Sequence, residues 1–343
     1  MKRHQNTLYV TSQGAYLAKE GEAVVVRIDR EEKLRVPIHM LGSIVCFGQV
    51  TASPFVLGFC GERGVGVSFL TMNGRFLARV QGPISGNVLL RREQYRRADD
   101  PISSASLARC IVVAKVANSR TVLLRALRDR PQSTGSDGLR TAAATLAQHL
   151  SSLPEGMPLD AVRGLEGAAA RAYFEAFDHL VTQQKESFFF RERSRRPPLD
   201  NLNALLSFLY TLLCHDVAAA LEAVGLDPAV GFLHRDRPGR PSLALDLMEE
   251  LRAFLADRLA LSLINLQQIR AADFEHKETG GVVLESEARK TVLTAYQKRK
   301  QEEISHPFLG EKTTVGLLPH LQAALLARHL RGDLDGYPPF FWK

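Results

Sequence analysis

Val65-Gly-Val-Ser-Phe-Leu70, Met72-Asn-Gly-Arg75, Gly82-Pro83 and Asn87-Val-Leu-Leu-Arg-Arg-Glu-Gln-Tyr95 follow one another closely, and the character of the chain changes across them. The first run is short, β-branched and bounded by turn residues, which suits a strand, and Asn73-Gly74 is a strong hairpin signal. Beyond Gly82-Pro83, Val88, Leu89 and Tyr95 begin a spacing of three and four, which suits helices. The fold therefore divides here.

Working back toward the N-terminus, further β-prone runs occupy 7–11, 23–28, 34–38 and 44–47. Val-rich runs with glycine every 8 to 12 residues predict an antiparallel sheet or a small sandwich. In the other direction the spacing predicts helices over 102–128, 138–152, 160–183, 202–224, 243–270 and 285–304. Loops such as Arg195-Arg-Pro-Pro-Leu199 and Arg237-Pro-Gly-Arg-Pro241 separate them. The expected class is α+β, with a β-rich N-terminal domain over 1–85 and a larger, all-α, catalytic C-terminal domain over 86–343.

A chain of 343 residues with 45% hydrophobic side chains can supply two cores. Lys and Arg number 44 against 37 Asp and Glu, a net charge of +7 that leans toward polyanions or serves solubility alone. Cys46, Cys60, Cys110 and Cys214 lie far apart in apolar surroundings, without metal-ligand spacing, and read as reduced core thiols. No run looks like the roughly 20 apolar residues of a membrane span. A cytoplasmic protein is expected.

Within 160–183, stepping by four and three from Val162 gives Glu166, Ala169, Tyr173, Phe177 and Leu180, so a carboxylate sits in the apolar stripe. Burying an ionised carboxylate is costly unless a cation or hydrogen bonds compensate. Glu166 therefore wants a metal or a basic partner, or else lies half exposed at the stripe's edge. Gly167 and three alanines follow and leave room beside it.

Gly231-Phe-Leu-His234 precedes a turn and then Ser242-Leu-Ala-Leu-Asp246-Leu-Met-Glu249-Glu250. Asp246 and Glu249 are three apart on a helix and project from one face. Two like charges so placed need a divalent cation or a basic group between them. Carboxylate oxygens with a neutral imidazole suit Mg²⁺ or Mn²⁺. A solvated acidic face is the plainer alternative.

Lys185-Glu-Ser-Phe-Phe-Phe-Arg191-Glu-Arg193-Ser-Arg195-Arg196 interleaves arginines with phenylalanines. This composition fits a nucleic-acid groove, or a core with a solvated basic loop. Gly61-Glu-Arg-Gly-Val-Gly66 lacks the residues of a phosphate loop, and His276 has no paired ligand nearby in sequence.

These motifs, taken in order, resemble the CRISPR-associated Cas1 family of spacer integrases. The resemblance runs from the β-rich start through Gly86-Asn-Val-Leu-Leu-Arg-Arg-Glu-Gln-Tyr95, Gly164-Leu-Glu166 with Tyr173-Phe174, and Arg196-Pro-Pro-Leu-Asp-Asn-Leu-Asn203 with Ser207 and Tyr210. It continues through Gly231-Phe-Leu-His234 and Gly239-Arg240 to Glu250. It implies metal-binding, catalytic positions at Glu166, His234 and Glu249, with Asp246 an auxiliary ligand one turn earlier and Mg²⁺ or Mn²⁺ as cofactor. Glu249 stands where some members have Asp, and its longer side chain shifts the reach, so that either Asp246 or Glu249 is the principal third ligand or the two share the role. The resemblance further implies a homodimer, a small ferredoxin-like partner, Cas2, and as substrates duplex DNA with 3′ single-stranded ends and CRISPR repeat DNA. Arg191, Arg193, Arg195, Arg196 and Arg240 are the expected phosphate contacts. A general structure-specific nuclease on branched DNA and a non-catalytic DNA-binding scaffold stand as rival readings.

Overall fold

The computed structural model describes residues 6–72, 74, 76–80, 82, 88–278 and 280–342. The strand-rich portion runs β1 (Asn6–Val10), β2 (Tyr16–Glu20), β3 (Ala23–Ile28), β4 (Glu31–Pro37), β5 (Leu41–Phe47), β6 (Thr51–Ala52), α1 (Pro54–Glu62), β7 (Gly66–Leu70) and β8 (Phe76–Val80). It forms two four-stranded sheets, ordered β1-β5-β7-β8 and β4-β3-β2-β6.

A purely antiparallel sheet or sandwich is not what the chain builds. β1, β5 and β7 are mutually parallel, and only β8 turns back. Parallel neighbours need crossovers, and α1 supplies the one between β5 and β7. Ser53 caps α1 by accepting a hydrogen bond from Val56 N, Pro54 begins it, and Val56, Phe59 and Cys60 are its buried face. Ser53-Pro54 is a helix-start signal in the sequence, and β2 is a further strand beyond the β-prone runs of the sequence. Gly74, with φ +82°, lies in the β7–β8 connection; its expected turn partner Asn73 is outside the described residues, as are Gly86, Asn87 and the 85/86 boundary.

β5 shows why the two portions hold together. Ile44 and Cys46 face a core shared with Val10, Leu17, Val24, Phe59 and Val67, whereas Val45 and Phe47 face the helices. The Phe47 and Phe208 ring centroids are 6.0 Å apart. Alternate side chains of one strand thus serve two cores. Apolar residues on these strands, which would otherwise suggest a subunit interface, are in part satisfied within the chain.

The helices follow as α2 (Val88–Asp99), α3 (Pro101–Asp129), α4 (Ser136–Ser151), α5 (Leu159–Glu175), α6 (Asn201–Ala223), α7 (Ser242–Leu251) and α8 (Arg258–Asn265). β9 (Phe274–His276) pairs with β10 (Val282–Leu284), so His276 lies in a strand rather than a loop. Then come α9 (Ser286–Gln301), β11 (Glu303–Ser305) paired with β12 (Lys312–Thr314), and α10 (Leu318–Leu330). Asp100 and Asp200 cap α3 and α6 by accepting from Ser103 N and Asn203 N. Contrary to the expectation that no run resembles a membrane span, α6 is long and apolar enough to cross a membrane by composition, but most of that stretch is buried among its neighbours. Its composition is that of a core helix.

Two details position the site. α3 packs against α4, α5 and α7, which brings three non-adjacent stretches to one place. Between α7 and α8 the helix widens into a π turn at Arg252–Asp257, where the sequence predicted one unbroken helix. Such a turn re-aims the residues it carries.

Candidate active site

α5 buries Val162, Ala169 and Tyr173, and Glu166 falls between them on the same stripe, half-buried as its spacing predicts. Its Oε1 forms an ion pair with Lys115 Nζ of α3. Beside it the room left by small residues opens outward: a Cβ on Gly164 or Gly167 would meet nothing within 4 Å.

Glu249 comes from α7 and is almost wholly buried. Its Oε1 accepts from Arg252 Nη1 at 2.6 Å, and its Oε2 lies 2.9 Å from the same Lys115 Nζ. That Oε2 is buried, in ion-pair range, yet accepts no hydrogen bond of good geometry. Burial alone would raise the Glu249 pKa, but Arg252, then Lys115 and His234, overcome it and hold the carboxyl well below its usual range. Glu249 is ionised at neutral pH.

His234 is held from behind by Asp246. The Nδ1 atom lies 2.6 Å from Asp246 Oδ1, and the His234 backbone N donates to the same oxygen at 2.9 Å. Asp246 Oδ2 accepts from Phe232 N and Leu233 N at 2.6 and 2.9 Å. With a carboxylate as its partner, Nδ1 carries the proton, and a neutral ring keeps its lone pair on Nε2. Gly231 permits this approach, since a Cβ there would stand 2.7 Å from Asp246 Oδ2.

Asp246 is fully buried and engages four donors, so it orients the His234 loop. The two carboxylates of one helix face have separate partners, with His234 near both.

The arginines also sort themselves. Arg193 is drawn inward: it donates to Asn203 Oδ1 at 2.7 Å and Ser207 Oγ at 2.9 Å and lies over the Tyr210 ring. Burial brings its pKa down to about 10. Its guanidinium is engaged by α6, where the sequence led to the expectation of a phosphate contact. Arg191, Arg195 and Arg196 are exposed, and half-buried Arg240 feels the charges of Arg237, Asp246, Arg195 and Arg196. Arg195, Arg196 and Arg240 form a basic rim beside the His234 loop, and Arg191 lies over the Phe189 ring. Phe188 and Phe190 are buried, and Phe190 stacks on Phe174, so the phenylalanines are chiefly core.

Lys115, Arg252, Asp257, Tyr173 and Tyr210 were not foreseen as site residues. Asp257 accepts from the hydroxyls of Tyr173 and Tyr210, and Arg252 lies over the Tyr210 ring at 4.3 Å, which braces the π turn under Glu249. Burial raises the Asp257 pKa against the opposing pull of Arg252 and both tyrosines. Lys115 had a legible signal: it is the lone charge in Cys110-Ile-Val-Val-Ala-Lys-Val-Ala-Asn118, the same anomaly as Glu166 in its stripe.

Two carboxylates thus converge on one positive charge, beside an imidazole with a preset tautomer. Among the described residues no three His, Cys, Asp or Glu side chains already stand close enough to hold a metal ion together. The donor chemistry nevertheless fits a hard divalent cation: two carboxylate oxygens that share one ammonium, one of them buried without a well-aligned hydrogen bond, and an imidazole lone pair.

The family model described as CRISPR associated protein Cas1 matches residues 8–298. The chain belongs to the Cas1 family. A CRISPR-associated endonuclease Cas1 of Chlorobaculum tepidum is 59% identical over 343 residues, all of both chains, and one of Rhodospirillum rubrum is 54% identical, again over all of both. This Cas1 protein is thus a CRISPR-associated endonuclease, and nucleases of the family depend on a metal ion. The fold is shared with a CAS1 protein from Thermotoga maritima (TM-score 0.82, 24% identity, 98% of this chain and 99% of that one). It is also shared with a casposase bound to integration product (TM-score 0.83, 22% identity, 99% and 95%). The α+β class is borne out, and the non-catalytic scaffold reading falls.

Proposed function

We propose that this Cas1 protein cuts and joins DNA strands at the Glu166–Glu249–His234 cluster, inserting new spacer DNA into a CRISPR array. The observation that carries this is the convergence of Glu166 Oε1 and the buried Oε2 of Glu249 on one cation, Lys115. Glu166 Oε1, Glu249 Oε2 and His234 Nε2 would hold Mg²⁺ or Mn²⁺. The ion would supply electrophilic stabilisation of the phosphodiester under attack.

The chain's own groups do the rest. Arg252 fixes Glu249 so that one oxygen faces the cluster, and Asp246 presents the His234 ring edge-on with its lone pair outward. Arg191, Arg195, Arg196 and Arg240 place the DNA backbone, and the open face by Gly164 and Gly167 gives it access. A 3′-hydroxyl attacks in line at the target phosphorus and gives up its proton to solvent, a new P–O bond forms as the old one breaks, and the departing 3′-oxygen takes a proton from solvent. With water as nucleophile the same site hydrolyses, which keeps the structure-specific nuclease as the second reading.

The segment 1–85 would serve as a dimerisation domain and 86–343 as the catalytic domain of a homodimer that works with Cas2. Its substrates are duplex DNA with 3′ single-stranded ends and CRISPR repeat DNA. Among the solved structures of this fold is a Cas6-RT-Cas1–Cas2 complex, which supports a Cas2 partner (TM-score 0.81, 24% identity, 99% of this chain and 36% of that one). DNA as substrate and four free cysteines fit a cytoplasmic setting.

The test is strand transfer into a plasmid bearing a leader and repeat, with Cas2 and Mg²⁺ or Mn²⁺. Glu166→Ala, His234→Ala and Glu249→Ala should each abolish joining while DNA binding survives. Joining that persists in all three overturns the site; nicking without joining in the unmodified protein selects the nuclease.

A further inference from the structure

Lys115 holds the two oxygens that the proposed metal needs. Its Nζ is paired with Glu166 Oε1 and lies 2.9 Å from Glu249 Oε2, while Glu249 Oε1 is already taken by Arg252. One oxygen of each carboxylate is therefore directed to the cluster, and both are on Lys115. The lysine is buried to 12% exposure of its side chain, on a helix stretch whose Ile111, Val112, Ala114 and Val116 are core. A charge is kept in such surroundings only by its partners.

An ammonium and a divalent cation cannot share these oxygens. Like charges a few ångströms apart repel strongly where water is scarce, and a hard cation draws oxygens to roughly 2.0–2.6 Å. Resting on the metal-site reading above, we infer that Lys115 is an internal counter-ion that competes with the divalent cation and releases both carboxylates when the ion enters. Lysine suits this exchange: its flexible stem can swing, whereas arginine's planar fork would clamp carboxylates more firmly. Between these exchanges it keeps two like charges from facing each other unneutralised.

The experiment is a Mn²⁺ titration of the full chain without DNA, read from the paramagnetic resonance signal of free Mn²⁺. It compares the unmodified protein with Lys115→Met, Lys115→Arg and Glu166→Gln. Lys115→Met should bind Mn²⁺ about tenfold more tightly, equivalent to about 1.4 kcal/mol, and Lys115→Arg more weakly. Thermal melting should show a larger gain from Mn²⁺, relative to EDTA, in Lys115→Met than in the unmodified protein. A merely structural lysine would not give opposite signs in the two variants. If Glu166→Gln leaves Mn²⁺ binding unchanged, the metal-site reading fails and this inference with it. If Glu166→Gln weakens binding but Lys115→Met binds equally or less well, the counter-ion alone is overturned. Should Lys115→Met not fold, Lys115→Arg decides: weaker binding supports the competition, and equal or tighter binding overturns it.

Discussion

Asp246 grips His234 twice through one oxygen, by the ring Nδ1 at 2.6 Å and by the backbone N at 2.9 Å. The other oxygen ties down the two preceding amides. A single carboxylate on α7 thereby fixes a loop's path, a ring's orientation and its tautomer. The i, i+3 spacing of Asp246 and Glu249 is thus a division of labour: one acid sets the imidazole, and the other faces the lysine.

Asp246→Asn should show that division. An amide has one accepting oxygen, so part of the donor set would meet an NH₂ group inside the protein. We expect a loss of about 2–4 kcal/mol of stability and a metal affinity lower by roughly 10–100-fold. Melting and Mn²⁺ titration check this; a variant matching the unmodified protein in both would show that the loop is held by something else.

Gly231→Ala tests the same contact from the other side. Its Cβ would stand 2.7 Å from Asp246 Oδ2 and 2.8 Å from the Ser242 carbonyl carbon, and neither is the free end of a flexible chain. A destabilisation of about 1–3 kcal/mol is expected, with loss of joining. In α5, Gly164→Ala and Gly167→Ala meet nothing within 4 Å and should instead add about 0.5–1 kcal/mol each. Chemical denaturation distinguishes the two cases; similar effects at all three positions would refute the steric argument.

Glu249 was legible as one of an acidic pair on a helix face, His234 as an imidazole just before that helix, and Glu166 as a charge in an apolar stripe. Lys115 carried the same anomaly, but its partners lie 51 and 134 positions away in the chain. The pairing exists only once α3 meets α5 and α7. The π turn was equally hidden, since Arg252 and Asp257 stand in a stretch whose apolar spacing continues as an ordinary helix. In the β-rich portion the strands could be read from composition. Their parallel order could not, because it depends on crossovers that periodicity does not encode.

The arginine-rich segment should split in two. Arg193→Ala removes donors to Asn203 and Ser207 and should lower stability by about 2–3 kcal/mol. Arg195→Ala, Arg196→Ala and Arg240→Ala should leave melting nearly unchanged. Each should weaken DNA binding and reduce the salt slope by about one phosphate contact. Binding isotherms at several salt concentrations, beside melting curves, decide it. An unchanged salt slope in all three surface variants would remove the basic rim from the DNA path.

His215 gives the fold a sensitivity to acid that lies apart from the Glu166–Glu249–His234 cluster. It stands on α6 against the ring of Phe76, with Asp216 beside it and Arg79 opposite on β8. Burial, then Arg79, brings its pKa down to about 4 against the opposing effect of Asp216. An unfolded histidine titrates near 6.5. Because the folded value is depressed, the contribution is fully present above about 6.5 and is lost as the pH falls toward 4. Between pH 7.5 and pH 5 the loss should be about 2 kcal/mol. His215→Gln cannot take up that proton, so its stability should decline less over the same interval, whatever its starting value. Denaturation at both pH values measures the difference of differences; an equal decline in both proteins would mean that His215 does not carry the effect.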